Sequence, residues 1–363
     1  MSDNLRRYRA ICTSILQWFP KDMSGRQHRQ LLTLAALISG IVGSRHCHLD
    51  KIAAKVPLSA KPDSRTKRFA RWTANDTITP TVFFLPVAAS LLAALAHRPL
   101  ILVLDGTTLG RGCIALLVSV AYRGRALPLA WVVVRGSKGH LGDNVHLQLL
   151  HQLFPLVPRA AQVVLLGDGE FDSLLFQQTL TAAGWTYVCR TACHLPIQIE
   201  DEWLVIGDLA RSPGVCQLFS DVRFTTQAYG PINLIAWWQV GYAKPLFLVT
   251  NAEVCEEACA WYRRRFGIET LFGDQKSRGF QLHKSHLSNP MRLARLLLAA
   301  ALAYLWIIFL GTVAQLEGWV RVIHRSDRCD LSLFQLGLRL LEHFLNEAMP
   351  IPVAFLMLDI EFD

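Results

Sequence analysis

The stretch WYRRRFGIETLFGDQK at 261–276 sets an acid between two cations and a phenol. Tyr262, Arg265, Glu269 and Lys276 stand at offsets 0, 3, 7 and 14, and at about 100° of helix per residue they share an arc of roughly 60°. A carboxylate held among cations, close to Gly267 and Gly273, suits a site where a metal-binding acid meets phosphate. Arg and Lys neutralise phosphate oxygens while the carboxylate holds the metal. A solvated helix face also carries Arg–Glu pairs at i,i+4, so this reading needs support from elsewhere in the chain.

Two apolar runs upstream each end in an aspartate followed by glycine: LILVLDGTT carries Asp105 and AQVVLLGDGEFD carries Asp168. Continuous apolar runs closed by Gly-containing turns read as strands buried on both faces, so each Asp should emerge at a sheet edge. Between them, CIALLVSVAY and ALPLAWVVV are joined by Arg123, Gly124 and Arg125, the pattern of a hairpin. The order becomes strand, hairpin, helix, strand. A lone Asp at a strand end is ordinarily a turn residue. Two of them plus the Glu of the helix make a three-carboxylate set, a known solution for two Mg2+ ions about 4 Å apart in phosphodiester chemistry. Glu170 and Asp172 compete with Asp168, but Asp172 precedes SLLFQQTL, where a helix N-cap is the simpler role.

Asp105 in DGT, Asp168 in GDGEFD, and the spacing Y-x-x-R-x-x-x-E-x-x-x-x-x-x-K together resemble the DDE insertion-sequence transposases of the IS-four type. The resemblance runs over roughly residues 100 to 312 and is looser before that. It implies an α/β fold: an RNase H-like catalytic core with a mostly β insertion, plus a small helical N-terminal domain. The expected division is 1–97, a helical basic DNA-binding domain; 98–194, the first part of the core; 195–250, the β-rich insertion; and 251–363, the core completed by the Glu helix and C-terminal helices. The strand-like runs EWLVIG, VRFTT and INLIAWWQV fit the insertion. By the same resemblance Asp105, Asp168 and Glu269 hold two Mg2+ ions, with Mn2+ able to substitute, while Tyr262, Arg265 and Lys276 contact phosphates near the cleaved end. Arg190, closing the strand WTYVCR, is a further phosphate candidate. Gly169 stands where many relatives have an arginine, which leaves the acids intact and removes one phosphate contact. If INLIAWWQV is a strand, Trp238 shares the core side with Leu234 and Ala236, whereas Trp237 is left to pack or to stack on an extruded base, as an insertion tryptophan does in hairpin-forming relatives.

The charge is uneven. Residues 1–100 carry 15 Lys/Arg against 5 Asp/Glu, and the remainder 22 against 23. The densest part is KPDSRTKRFARW, with Lys61, Arg65, Lys67, Arg68 and Arg71, following the helical patterns HRQLLTLAALISGIV and HLDKIAAKV. Short helices around a basic, aromatic-bearing segment suit the DNA backbone, and a solvated basic face is the plainer alternative. At 363 residues and 52% hydrophobic content the chain can bury a sizeable core. The implied partner is double-stranded DNA, both terminal inverted repeats and target, bound by a dimer or higher assembly.

Nine cysteines invite a metal or disulfide framework, yet Cys189 with Cys193 and Cys255 with Cys259 are four apart and no C-x-x-C pair occurs, so the spacing argues against one. An odd cysteine number without a signal peptide points to a reducing cytoplasm, and the resemblance implies a bacterial one, with the protein on the nucleoid when bound to DNA. LLLAAALAYLWIIFLGTVAQ at 296–315 has no charge and meets the length of a membrane span. A central helix packed between a sheet and the helix expected from Leu331 to Phe344 is apolar all round too, and that is the expectation here. The competing readings of function are an immobile transposase descendant that still binds DNA, and a membrane protein anchored by 296–315.

Overall fold

The computed structural model describes residues 1–19, 23–139, 141–325 and 328–357. Its centre is β1 (Leu100–Leu109), flanked on one side by the hairpin β2 (Cys113–Tyr122) and β3 (Arg125–Arg135). The turn needs two left-handed residues, Arg123 at φ 46° and Gly124 at φ 71°, which matches the right-handed twist of the strands it joins. On the other side of β1 lie β4 (Val163–Gly167) and β5 (Thr186–Thr191), both parallel to it, reached through α7 (Asp143–Leu153) and α8 (Leu174–Ala182). Parallel neighbours require such crossovers, and the helices then cover the sheet faces.

The insertion does not form a separate sheet. The strands β6 (Pro196–Ile199), β7 (Glu202–Val205), β8 (Cys216–Phe224), β9 (Tyr229–Trp237) and β10 (Leu246–Thr250) extend the same one, in the order β3-β2-β1-β4-β5-β10-β9-β8-β6-β7. β10 joins the two parts by pairing antiparallel with both β5 and β9. α9 (Cys255–Arg263) and α10 (Phe266–Gln275) then return the chain to the face of β1, β2 and β3.

Among the described residues six helices precede the sheet: α1 (Asp3–Gln17), α2 (Gly25–Ser44), α3 (Leu49–Ala54), α4 (Pro62–Ala74), α5 (Pro80–Phe83) and α6 (Leu85–Leu95). The long apolar run is the middle of α11 (Pro290–Leu316), started by the Asn289 side chain accepting from the Arg292 amide and by Pro290 at the first turn. Its most apolar 18-residue window is wholly buried, between β3, α2, α4 and the amphipathic α13 (Leu333–Asn346). The short α12 (Val320–Ile323) links α11 to α13. Burial all round accounts for the uniform apolarity of α11 without lipid. Near its start, the buried Arg295 donates to the Thr73 and Ile78 carbonyls, both at 3.0 Å, and pairs with Asp76 at 2.6 Å, tying the core helix to the chain after α4.

α11 and α13 cross at two glycines. A Cβ on Gly337 would sit 1.9 Å from the Ile307 carbonyl oxygen, and one on Gly311 would sit 2.0 Å from that of Leu333. Gly337→Ala should therefore force the helices apart and cost about 1–3 kcal/mol in urea denaturation. Gly25→Ala, whose new methyl would meet only the Arg29 side chain at 3.6 Å, should leave the midpoint unchanged or raise it. Equal midpoints for the Gly337 variant and the unaltered chain would refute the close crossing.

Candidate active site

The register of the central parallel pair decides where the acids stand. Leu100 lies opposite Val163 and Val103 opposite Leu166, so two residues further along Asp105 comes abreast of Asp168 on the same face. Adjacent strands are about 4.8 Å apart, and the Asp168 charge is felt at Asp105. β4 stops at Gly167 while β1 runs on to Leu109, so Asp168 occupies the carboxyl-end crevice where open α/β sheets place their ligands. One strand further, Gly167 pairs with Cys189, and the next position puts the exposed Arg190 abreast of Asp168.

Asp105 is 3% exposed. Its Oδ1 accepts from Lys138 Nζ and from the Gly106 amide, at 2.8 and 2.7 Å, and its Oδ2 accepts from Arg265 Nη1 at 3.3 Å. Burial raises its pKa above the usual carboxylate range and the Asp168 charge adds to that, while the Lys138 hydrogen bond and charge, and Arg265, pull it back. Asp168 Oδ1 accepts from the Glu170 amide at 3.0 Å. The two rival acids are occupied elsewhere. Glu170 accepts from the Leu141 amide at 3.2 Å and lies 3.9 Å from the buried His146. Asp172 accepts from the Thr191 hydroxyl at 2.7 Å and does not cap α8, because the cap is the Ser173 side chain.

The stretch 261–276 is not the single helix its spacing suggests. α9 ends at Arg263 and α10 begins at Phe266, joined by i→i−3 bonds from Arg264, Arg265, Gly267 and Ile268. The tightened turn drops α10 onto the hairpin: a Cβ at Gly267 would lie 3.1 Å from the Arg125 carbonyl, so a larger residue there would have to push the hairpin backbone back by a few tenths of an ångström. Beyond it, Arg125 pairs with the buried Asp274 at 2.9 Å. The backbone stays right-handed through the turn, and the four signature residues still converge. Arg265 spans the site, with Nη1 on Asp105 and Nη2 on Glu269 Oε1 at 3.2 Å. Its guanidinium lies 5.9 Å from the centre of the buried Tyr262 ring. Burial pushes the Tyr262 phenol up to about 12. Lys276, just past the end of α10, donates to Thr107 Oγ1 at 2.5 Å.

Arg265 thus links Asp105 to Glu269, but the three carboxylates are not gathered within 4.8 Å of one another. Arg265 holds Glu269, whose side chain is 46% exposed, away from the aspartate pair. Lys138 and Thr107 also enter the site. Lys138 follows β3 in GSKG, a loop with no local pattern that marks it.

Other expected contacts are corrected. Trp237 is buried and lies beneath the Arg263 guanidinium, 4.8 Å from its ring centre, so no base can stack there. Trp238 is the half-buried one, past the end of β9, donating to the Tyr242 carbonyl at 2.9 Å. Both faces of β9 are covered at this end, so alternation does not separate core from surface. Of the five basic residues on and before α4, Lys61, Lys67 and Arg71 are exposed. Arg65 instead donates to the Ala53 and Ala60 carbonyls at 3.1 and 2.7 Å, and Arg68 to Thr33 Oγ1 at 2.8 Å.

A search of the curated proteins finds no match. Among solved structures, a cryo-EM structure of piggyBac transposase, a synaptic complex with hairpin DNA, is similar at 13% identity over 96% of this chain and 82% of that one, with a TM-score of 0.45. So loose a likeness carries no weight here. The family model described as the transposase DDE domain matches residues 97–306, more than half of the chain and the whole span from β1 to the middle of α11. With Asp105, Asp168 and Glu269 all inside that span, this chain belongs to the DDE transposase family.

Proposed function

We propose that the protein is an insertion-sequence transposase of the IS-four type, cutting DNA at the element's ends and joining those ends to a target. The observation that carries this is Asp105 on β1 with Asp168 just past the end of the parallel β4, and Asp105 connected to Glu269 through Arg265. The arrangement β3-β2-β1-β4-β5, an antiparallel hairpin beside parallel strands, supports an RNase H-like core. The adjacent aspartates call for positive charge, and both oxygens of Asp105 already draw cationic nitrogens. An all-oxygen donor set of this kind fits Mg2+, with Mn2+ able to substitute. Two such ions, held by Asp105, Asp168 and Glu269, would activate water or a 3′-hydroxyl and stabilise the leaving oxygen.

The remaining residues handle the DNA. Arg265 has the planar fork that grips a phosphate; once its guanidinium turns to DNA, Glu269 is released towards the aspartates. Lys276, Arg190 and Tyr262 border the same crevice and position the backbone at the cleaved end. Lys61, Lys67 and Arg71 form the exposed basic surface for duplex DNA. The reading places the protein in the bacterial cytoplasm, as a dimer or higher assembly on its DNA.

Three measurements test this. Asp105→Ala, Asp168→Ala and Glu269→Ala, each alone, should abolish Mg2+-dependent cleavage of DNA carrying the repeats that flank the gene, while binding of that DNA stays measurable. Full cleavage by any variant removes that residue from the site, and binding without cleavage by the unaltered chain favours an immobile descendant.

Neutralising Lys61, Lys67 and Arg71 together should flatten the plot of log affinity against log salt by up to about three units of slope. An unaltered slope reduces this surface to a solvated face.

Lys138→Met should move the acid limb of the pH–cleavage profile to higher pH. Burial raises the Asp105 pKa and Lys138 lowers it; without Lys138 the carboxylate ionises only at higher pH, and the metal-competent form appears later. A limb that stays put or moves down means that Lys138 leaves Asp105 in the working enzyme.

A further inference from the structure

Cysteine spacing argued against a metal centre, and the fold supplies what the spacing lacked. Cys255 and Cys259 stand one turn apart on the same face of α9. That face packs against the start of β8, where Cys216 pairs in register with Trp237 of β9. The three Sγ atoms lie within 4.8 Å of one another, the only such group of metal-ligating side chains among the described residues. Cys216 and Cys259 approach to 3.5 Å. Three thiolates on one tetrahedral ion, with Zn–S near 2.3 Å, sit about 3.8 Å apart, so the cluster needs only small side-chain adjustments to accept one.

We propose that Cys216, Cys255 and Cys259 bind one thiophilic divalent cation of the zinc class, with water completing the tetrahedron on the exposed side of Cys216. The donor chemistry separates this site from the catalytic one. Sulfur ligands select soft ions, whereas the carboxylates around Asp105 select hard ones, so Mg2+ does not compete here.

Burial pushes the Cys255 thiol up to about 12 and the Cys259 thiol higher still. Each thiol therefore gives its proton to solvent as its metal–sulfur bond forms, and affinity falls as pH is lowered. No electron is transferred. The consequence for the fold lies along α9: residues 255, 259 and 262 share a face, and Tyr262 follows Cys255 by seven residues, about 10 Å of helix. The ion would pin the insertion to the helix that presents Tyr262 and leads into Arg265. Arg263 stacked on Trp237 marks the same interface.

The test uses the full chain, purified under reducing conditions, loaded with Zn2+ or Co2+ and desalted. One equivalent of metal should be retained, and the Co2+ form should show the near-ultraviolet charge-transfer absorption of thiolate ligands. Cys216→Ser, an exposed change at the start of a strand, should lose both signals, as should Cys259→Ser. Cys193→Ser, at an exposed cysteine outside the cluster, should keep both. Zn2+ should raise the thermal midpoint of the unaltered chain but not that of the Cys216 variant. Retention no greater than that of Cys216→Ser overturns the proposal. So does a Cys216–Cys259 disulfide forming in place of metal uptake when Zn2+ and oxidised glutathione are offered together.

Discussion

Two carboxylates abreast on neighbouring strands repel each other, and much of the structure answers that repulsion. The parallel register of β1 and β4 creates the problem by setting Asp105 beside Asp168, with Asp105 buried deeply enough to raise its pKa. Lys138 arrives from the loop after the hairpin, Arg265 from the turn between α9 and α10, and Arg190 from the next strand of the sheet. Each comes from a different element, so the site exists only when hairpin, sheet and helices are assembled together. A surplus of positive charge around a pair of acids is also what a polyanion needs in order to approach them. The same side chains that quiet the acids in the absence of DNA are the ones suited to receive it.

What could be read from the chain beforehand was whatever depends on near neighbours. Asp105 and Asp168 were visible because apolar runs ending in Asp-Gly need no tertiary partner to be recognised, and Glu269 was visible through its spacing from Tyr262, Arg265 and Lys276. The hairpin turn at Arg123 and Gly124, the buried α11 and the amphipathic α13 were legible for the same reason. The break between α9 and α10 was not, because it follows from Gly267 resting on the Arg125 carbonyl far away in sequence. Arg65 and Arg68 looked like free cations until their acceptors, carbonyls around α3 and a threonine on α2, were in place. The third cysteine of the cluster comes from a strand paired elsewhere, which spacing along α9 cannot reveal.

The insertion illustrates why alternation misled at the tryptophans. A strand with one wet face sorts its residues by parity, but β9 lies inside a ten-stranded sheet with α9 across it, and Leu234, Ile235, Ala236 and Trp237 are all buried. Because the insertion continues the catalytic sheet through β10, a displacement of β8 or β9 bears directly on β5, which carries Arg190.

α1 is tied to the end of α13 and to the segment after it. Arg6 on α1 donates to the carbonyls of Phe344, Leu345 and Met349, the first at 2.9 Å, and Ser14 donates to that of Val353 at 3.1 Å. Arg6 and Leu345 are 339 residues apart, and at about 5–20 residues per second of synthesis that separation is on the order of half a minute. α1 meanwhile packs on α2, and its buried Arg7 donates to the Ser39 carbonyl at 2.9 Å, so the helical region has partners of its own from the start. The tie between α1 and the end of α13 is thus one that can form only after every strand of the sheet has been made.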